Sequence, residues 1–361
     1  MQITFLLSGP AGNTPVGGYK VIYEYANRLS SDGFDVAIVY PLYMKPPGSG
    51  FKLFLKQLFV TFYAIKDYFN YKNHVKNSWF PLHENIKELL VWDLKEKNVP
   101  KSDAFVATYY TTAKYLKEYK SNSERFFFIQ GFENFHVSDE KLLETWKFNL
   151  TKIVISKWLK EICESIGEPA FLVPNGFDFN YFQIEKPIET REKLKISMMY
   201  NPSVWKGFKE AFEAILIVKK MFPKLELLVF GAYEKPSEWP DWVRYYQSPD
   251  QKEHNFIYNE SSIFVAASRS EGWGLTLGEA MICGNAIICT NIGGFSTMAI
   301  HEETALVSKV DAINQMAQNI IKLIENDDLR ITIAKNGKEF IKQFTWEESY
   351  LKLKQILNKQ I

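Results

Sequence analysis

Along this chain, short apolar runs alternate with stretches in which apolar positions recur every three or four residues. The short runs have the length of strands that are buried on both faces of a sheet. In the first half they lie at 3–7, 36–40, 104–107, 126–129, 153–155 and 171–173. In the second half they lie at 195–199, 225–230, 263–267 and 286–289. The alternation predicts α/β structure, with parallel sheets covered by helices.

Helical periodicity is clearest at both ends of the chain and in three central stretches. Near the start, Val21, Ile22, Tyr25, Ala26 and Leu29 share one helical face before Asp32-Gly33 ends the pattern. Central helices are predicted at 208–219, 275–283 and 311–324. At the end, Thr345 is a predicted N-cap for an amphipathic helix.

The length of 361 residues favours two domains. We predict an N-terminal domain over 1–178, a second domain over 179–343, and a C-terminal helix over 344–361 that packs back onto the first domain. Turn formers and charged residues are frequent at 175–192, which we predict to be a hinge.

Charge and metal-ligand content exclude several classes of protein. With 43 basic and 42 acidic residues, the chain lacks the basic excess of a nucleic-acid-binding protein. The three cysteines form no CxxC pair, and the five histidines show no metal-ligand spacing. We therefore expect a reducing, cytoplasmic location, no disulfide framework and no metal held by the protein.

Two segments bear on membranes. The N-terminal apolar run lacks a basic leader and has the length of a strand, so we do not interpret it as a signal peptide. Segment 51–65 is apolar, aromatic and basic, but Lys56 interrupts it and it is too short to span a bilayer. It could lie on the inner face of the membrane as a peripheral contact, or be a helix that faces the core.

The window Glu271-Gly-Trp-Gly-Leu-Thr-Leu-Gly-Glu279 carries the richest chemistry. It follows a predicted strand and opens a helix, where open α/β sheets bind ligands. A carboxylate accepts two hydrogen bonds, which suits the diol of a ribose or the hydroxyls of a sugar. Glycines at a helix N-terminus allow backbone N–H groups to approach a phosphate. We predict that a ligand with such sugar and phosphate groups, the donor, binds to the window's residues Gly272, Trp273, Gly274, Leu275 and Glu279.

Two further loops have the same position between a strand and a helix. Lys206, in Trp205-Lys206-Gly207, can place an ammonium against a diphosphate and stabilise the leaving group. Gly17 and Gly18 open the first predicted helix and allow a diphosphate or an acceptor to approach the backbone closely.

Together these motifs resemble the retaining glycosyltransferases of family 4, which adopt the GT-B fold of two Rossmann-like domains facing each other across a cleft. The resemblance covers nearly the whole chain, including Val173-Pro-Asn-Gly-Phe-Asp178. It implies that Glu271 faces the donor sugar, Glu279 binds the nucleotide ribose and Lys206 contacts the diphosphate. Lys206 and Glu271 are thus the catalytic candidates, with a nucleotide sugar as donor substrate and no metal required.

The chain departs from the family pattern at Asn201, where the family usually has an arginine five residues before the lysine. The stretches around Thr108, Gln130 and Glu133 resemble the subgroup with bacterial rhamnosyltransferases of surface-polysaccharide synthesis. We place these three residues on the acceptor side.

The resemblance implies transfer of a sugar to a glycan, a glycolipid or a protein. Two other functions remain open on the sequence. One is a nucleotide-sugar epimerase on the same fold, which would need no acceptor. The other is a non-catalytic glycan-binding partner subunit, suggested by the missing arginine at 201.

Overall fold

The structure is a computed structural model, and it describes residues 1–10, 15–44 and 79–360. The chain divides into two compact units. The first comprises residues 1–173 and 350–361, and the second comprises 174–349.

The first unit is a seven-stranded parallel sheet with helices between its strands. Its strands are β1 Gln2–Leu6, β2 Asp35–Pro41, β3 Lys87–Val91, β4 Ala104–Ala107, β5 Glu124–Ile129, β6 Thr151–Val154 and β7 Ala170–Leu172. The helices between the strands, within the residues described, are α1 Gly17–Ser31, α2 Tyr110–Leu116, α3 Asp139–Trp146 and α4 Lys157–Ser165. The strand order is β3-β2-β1-β4-β5-β6-β7. The central strands are buried on both faces, which explains why they are short unbroken apolar runs.

The second unit is a six-stranded parallel sheet of the same kind. Its strands are β8 Lys195–Met199, β9 Glu226–Gly231, β10 Val243–Gln247, β11 Ile263–Ala266, β12 Ala286–Thr290 and β13 Ala305–Ser308. Its helices are α5 Phe208–Met221, α6 Gln251–Glu260, α7 Leu275–Ile282, α8 Gly293–Ser296, α9 Ile313–Glu325 and α10 Asp327–Ile341. The order β10-β9-β8-β11-β12-β13 places β8 beside β11. The loops that follow these two strands therefore meet at one edge of the sheet.

The boundary between the units differs by a few residues from the predicted one. It lies between Val173 and Pro174 rather than after residue 178. The reason is that Phe177 pairs with the end of the second unit, where its N–H donates to the Phe344 carbonyl at 3.0 Å. The last helix, α11 Trp346–Gln360, passes from the second unit into the first, which it joins at Tyr350.

The predicted hinge is fastened to the second unit by polar side chains. Asn255 and Asn259 accept backbone N–H groups of Gln183 and Glu185 at 3.1 and 2.7 Å. The buried Arg191 guanidinium donates to several backbone carbonyls, including that of Cys283 at 2.6 Å. These contacts satisfy the polar groups of a segment that contains little regular structure.

Candidate functional site

Lys206 lies in a short 3₁₀ turn, Val204–Lys206, that follows β8. Asn201 opens the turn, since its side-chain oxygen accepts the N–H of Ser203 at 2.9 Å. Gly207 ends it with a left-handed backbone, φ +63°, and begins α5. A Cβ at Gly207 would meet the Ala267 carbonyl oxygen at 1.9 Å, so this position accepts only glycine. Asn201 thus shapes the turn at the position where the family usually has an arginine.

Glu271 lies in the loop that follows β11 and faces Lys206. The Lys206 ammonium contacts Glu271 Oε1 at 2.5 Å, and the Ser268 hydroxyl donates to the same oxygen at 3.0 Å. The exposed fractions of the Lys206 and Glu271 side chains are 23% and 19%. The two catalytic candidates are therefore adjacent and partly buried. Together with Thr276 they line a small pocket.

Glu279 lies in α7, the helix that opens directly after the Glu271 loop. It is buried, and the Tyr258 hydroxyl lies 3.5 Å from its Oε2 and donates to the Thr276 carbonyl at 3.1 Å. Burial raises the pKa of Tyr258 well above its usual value, and the neighbouring Glu279 raises it further. Tyr258 is consequently a neutral donor beside a carboxylate.

Gly274 starts α7 with a left-handed backbone, φ +95°, and the first turn of this helix carries no acidic residue. The N–H groups of a helix's first turn have no partner within the helix, and together with the helix dipole they favour an anion at this end. Gly272 and Leu275 flank the same turn and are half-buried.

The indole of Trp273 is buried in aromatic packing rather than presented to the loop. It is stacked on Phe177 at 6.4 Å and lies edge-on to Phe344 at 5.2 Å. Only 2% of the residue is exposed. The ring of Trp273 thus packs within the second unit, and its donor contact stays a prediction.

Arg269 is a part of the site that the sequence analysis missed. Its backbone N–H donates to the Trp205 carbonyl at 2.8 Å, and its guanidinium donates to the Val204 carbonyl at 2.6 Å. It also pairs with Glu210 and Asp311 at 2.6 and 2.7 Å. Its partners are distant in the sequence, so no local spacing indicates this role.

In the first unit, Gly17 and Gly18 begin α1, as predicted. A Cβ on Gly18 would lie 3.5 Å from the carboxamide of Gln130, so the glycine turn lies against the loop after β5. Gln130 Oε1 is buried and accepts no hydrogen bond from the described residues. The structure thus brings two predicted site features of this unit together.

Glu133 and Thr108 have contrasting surroundings. Burial raises the pKa of the Glu133 carboxyl well above its usual value, while a hydrogen bond from the Tyr110 backbone opposes this shift. Thr108 is buried and its hydroxyl donates to the Leu6 carbonyl at 2.9 Å. The Thr108 hydroxyl is thus already engaged within the unit, and the assignment of Thr108, Gln130 and Glu133 to the acceptor side stays a prediction.

Within residues 1–10, 15–44 and 79–360, no group of three or more His, Cys, Asp or Glu side chains is placed to hold a metal ion. In the part of the chain that the structure describes, no helix has both the length and the apolar character needed to cross a membrane. Segment 51–65, the predicted peripheral contact, lies outside the described residues.

Comparison with known proteins finds a family model that matches most of the second unit. The family model for glycosyl transferases group 1 matches residues 182–340. A capsular polysaccharide biosynthesis glycosyltransferase of Staphylococcus aureus, CapM, is 28% identical over 55% of this chain and 57% of its own length. An uncharacterised glycosyltransferase of Methanocaldococcus jannaschii is 36% identical over 26% of this chain and 27% of its own length. The matches therefore cover about half or less of these relatives.

Solved structures agree over the whole chain. HepE from Anabaena, in complex with UDP-glucose, has a TM-score of 0.72 and covers 99% of this chain and 100% of its own, at 14% identity. A likeness at this identity shows the fold, which is the predicted GT-B fold. Together the comparisons support the resemblance to glycosyltransferases, since residues 182–340 match the group 1 family model and the chain has the predicted GT-B fold.

Proposed function

We propose that this chain, which has the GT-B fold and matches the group 1 glycosyl transferase model over residues 182–340, transfers a sugar from a nucleotide sugar to a glycan, glycolipid or protein acceptor with retention of configuration. The observation that carries the proposal is the contact of the Lys206 ammonium with Glu271 Oε1 at 2.5 Å. A nucleotide sugar is anionic on one side of the bond that breaks and rich in hydroxyls on the other. A cation and a carboxylate side by side match both halves of such a substrate.

The diphosphate would replace Glu271 as the partner of the Lys206 ammonium. As the glycosidic bond to the diphosphate breaks, negative charge grows on the leaving oxygen, and a fixed ammonium stabilises it. Backbone N–H groups at the start of α7 and the dipole of this helix add to the same effect. Attack by the acceptor on the face from which the diphosphate leaves would give retention.

Glu271 and Glu279 would bind two different diols of the donor. Glu271, released from Lys206, accepts hydroxyls of the sugar, while Glu279 accepts those of the nucleotide ribose. Glu279 is already surrounded by protein, so its hydrogen bonds to ribose form in a site with little competing water. Glu279 therefore determines nucleotide affinity, and Glu271 acts on the sugar.

The acceptor and the biological setting are further parts of the proposal. Thr108, Gln130 and Glu133 remain our candidates for the acceptor side. The name of CapM refers to capsular polysaccharide, which supports a role in cell-surface polysaccharide synthesis.

A cytoplasmic location, peripheral membrane contact through 51–65 and catalysis without a metal stay predictions. Activity that survives exhaustive EDTA treatment would support the last of these, and restoration by Mg²⁺ or Mn²⁺ would contradict it.

The test is a thermal-shift panel of UDP, GDP, dTDP and the corresponding nucleotide sugars against the full chain, because a ligand of the folded state raises the melting temperature.

Calorimetry on Glu279→Ala should show loss of the binding seen for the parent chain. Glu238→Ala, which removes an exposed glutamate of the same unit, should leave it unchanged. Absence of binding across the panel would reject the proposal, and donor turnover without acceptor would indicate an epimerase.

A further inference from the structure

In the turn that carries Lys206, Val204 is largely exposed and Trp205 is partly buried. Val204 is 73% exposed and Trp205 is 38% exposed. The turn comes from the end of β8, whereas its partner Glu271 comes from the end of β11. Hydrogen bonds from the Glu271 loop can therefore add to the packing of Trp205 in fixing the Lys206 backbone opposite Glu271.

Arg269 supplies this connection from within the Glu271 loop. It donates to the carbonyls of Val204 and Trp205, the two residues directly before Lys206, at 2.6 and 2.8 Å. One bond comes from its guanidinium and the other from its backbone, so both the side chain and the main chain of Arg269 hold the turn. These distances are typical of well-formed hydrogen bonds.

The remaining side of the guanidinium is held by two carboxylates. Glu210, in the first turn of α5, lies 2.6 Å away, and Asp311, between β13 and α9, lies 2.7 Å away. The planar fork of arginine can satisfy all of these acceptors at once, which the single ammonium of a lysine cannot do. Because two carboxylates neutralise it, Arg269 does not replace the family's arginine at position 201 as a second cation for the diphosphate.

We infer that Arg269 is a positioning residue that holds the Val204–Lys206 turn so that the Lys206 ammonium meets the donor diphosphate. This inference rests on the proposed role of Lys206 in donor binding. Arg269 acts only through Lys206, since its own charge is directed at Glu210 and Asp311. A displacement of about 1 Å in a catalytic group is enough to cost roughly a hundredfold in rate.

A double-mutant cycle on the full chain tests the inference. Affinities for UDP, GDP and dTDP are measured by calorimetry for the parent, Arg269→Gln, Lys206→Met and the double variant. We expect Arg269→Gln to weaken binding about tenfold in the parent and to have no further effect beside Lys206→Met. Arg269→Lys should recover little of the loss, because the fork is missing. Arg244→Gln is the matched control. Arg244, on the edge strand β10, also pairs with a carboxylate, that of Glu226 at 3.2 Å, but it does not contact the Lys206 turn in any bond described here.

Amide hydrogen exchange of residues 203–207 gives a second measurement that needs no nucleotide. Faster exchange in Arg269→Gln than in Arg244→Gln, at equal melting temperature, would support the inference. Unchanged exchange, or an equal loss of affinity with and without Lys206, would overturn it while leaving the proposed function intact. If the parent chain binds none of the three nucleotides, the proposed function fails, and the exchange result still decides whether Arg269 holds the turn.

Discussion

Gly207 follows Lys206 directly and shows how narrowly one residue of the site is constrained. Replacing it with alanine places a Cβ in a left-handed backbone, which costs about 1–2 kcal/mol, and also forces it against the Ala267 carbonyl at 1.9 Å. Gly207→Ala should therefore lower the free energy of unfolding and weaken nucleotide binding. Gly33→Ala is the control, because φ is +85° there but no atom lies within 4 Å of the new Cβ. Denaturant titration and calorimetry should show loss of binding for Gly207→Ala alone, and equal binding in both variants would contradict this.

Glu133 is expected to make stability depend on pH. Its folded-state pKa is raised by burial above the unfolded value of about 4.3. The stabilisation of its protonated form is therefore complete below about pH 4 and is lost as the pH rises through the folded pKa. Glutamine resembles the protonated carboxyl and does not ionise, so Glu133→Gln should melt like the parent near pH 4 and a few degrees higher at pH 8.

The control for this pH dependence is Glu161→Gln, which changes an exposed glutamate in the same unit. It should follow the parent at both pH values. A Glu133→Gln variant that is less stable than the parent at pH 8 would show that the carboxylate, rather than the protonated carboxyl, stabilises the fold.

The sequence predicted individual site residues better than it predicted what holds them. Lys206 and Glu271 were found because each follows a strand in a recognisable window, and the structure places them in contact. Arg269 was missed since its carboxylate partners, Glu210 and Asp311, come from elements far along the chain. The motif around Trp273 predicted donor contact but not the burial of its ring by Phe177 and Phe344, and the donor contact stays a prediction.

Among the elements, the start of α11 allows a direct test of capping. The Thr345 hydroxyl accepts the N–H of Glu348 at 3.1 Å, as expected for an N-cap. Thr345→Ala should cost about 1 kcal/mol in the free energy of unfolding, and Thr345→Ser should recover most of it. Ser138→Ala is the control, because Ser138 precedes α3 without a side-chain cap. Equal stability of the alanine and serine variants at 345 in denaturant titrations would show that this cap contributes nothing.

The strands that the sequence failed to predict share a position in their sheets. β3 lies at one edge of the seven-stranded sheet, and β10 and β13 lie at the two edges of the six-stranded one. An edge strand has one neighbour and tolerates polar residues, so it lacks an unbroken apolar run. Val243–Gln247 alternates buried, half-exposed and exposed positions, unlike the fully buried β12. The interior strands of each sheet were therefore predicted, and so was the edge strand β7 at 171–173, whereas the edge strands β3, β10 and β13 were not.

At the scale of the whole molecule, the chain leaves the first unit at residue 173 and returns to it at residue 350. The returning helix is anchored there by Asp32, which accepts hydrogen bonds from the Tyr350 hydroxyl and, at 2.7 Å, from the Lys354 ammonium. These bonds lower the pKa of Asp32. Their contribution to stability is thus present above the unfolded pKa of about 3.9 and is lost as the pH falls through the lower folded value.

Two leucines of α11 test how much this helix contributes to the stability of the first unit. Leu353 is 1% exposed and Leu351 is 49% exposed, so the same substitution on one helix differs only in burial. Leu353→Ala should cost about 2–5 kcal/mol through lost burial and the cavity left behind, and Leu351→Ala less than about 0.5 kcal/mol. Because residues 350–361 group with the first unit, amide exchange should accelerate in α1 and β2. Acceleration confined to β8 and β11 would mean that α11 stabilises the second unit instead.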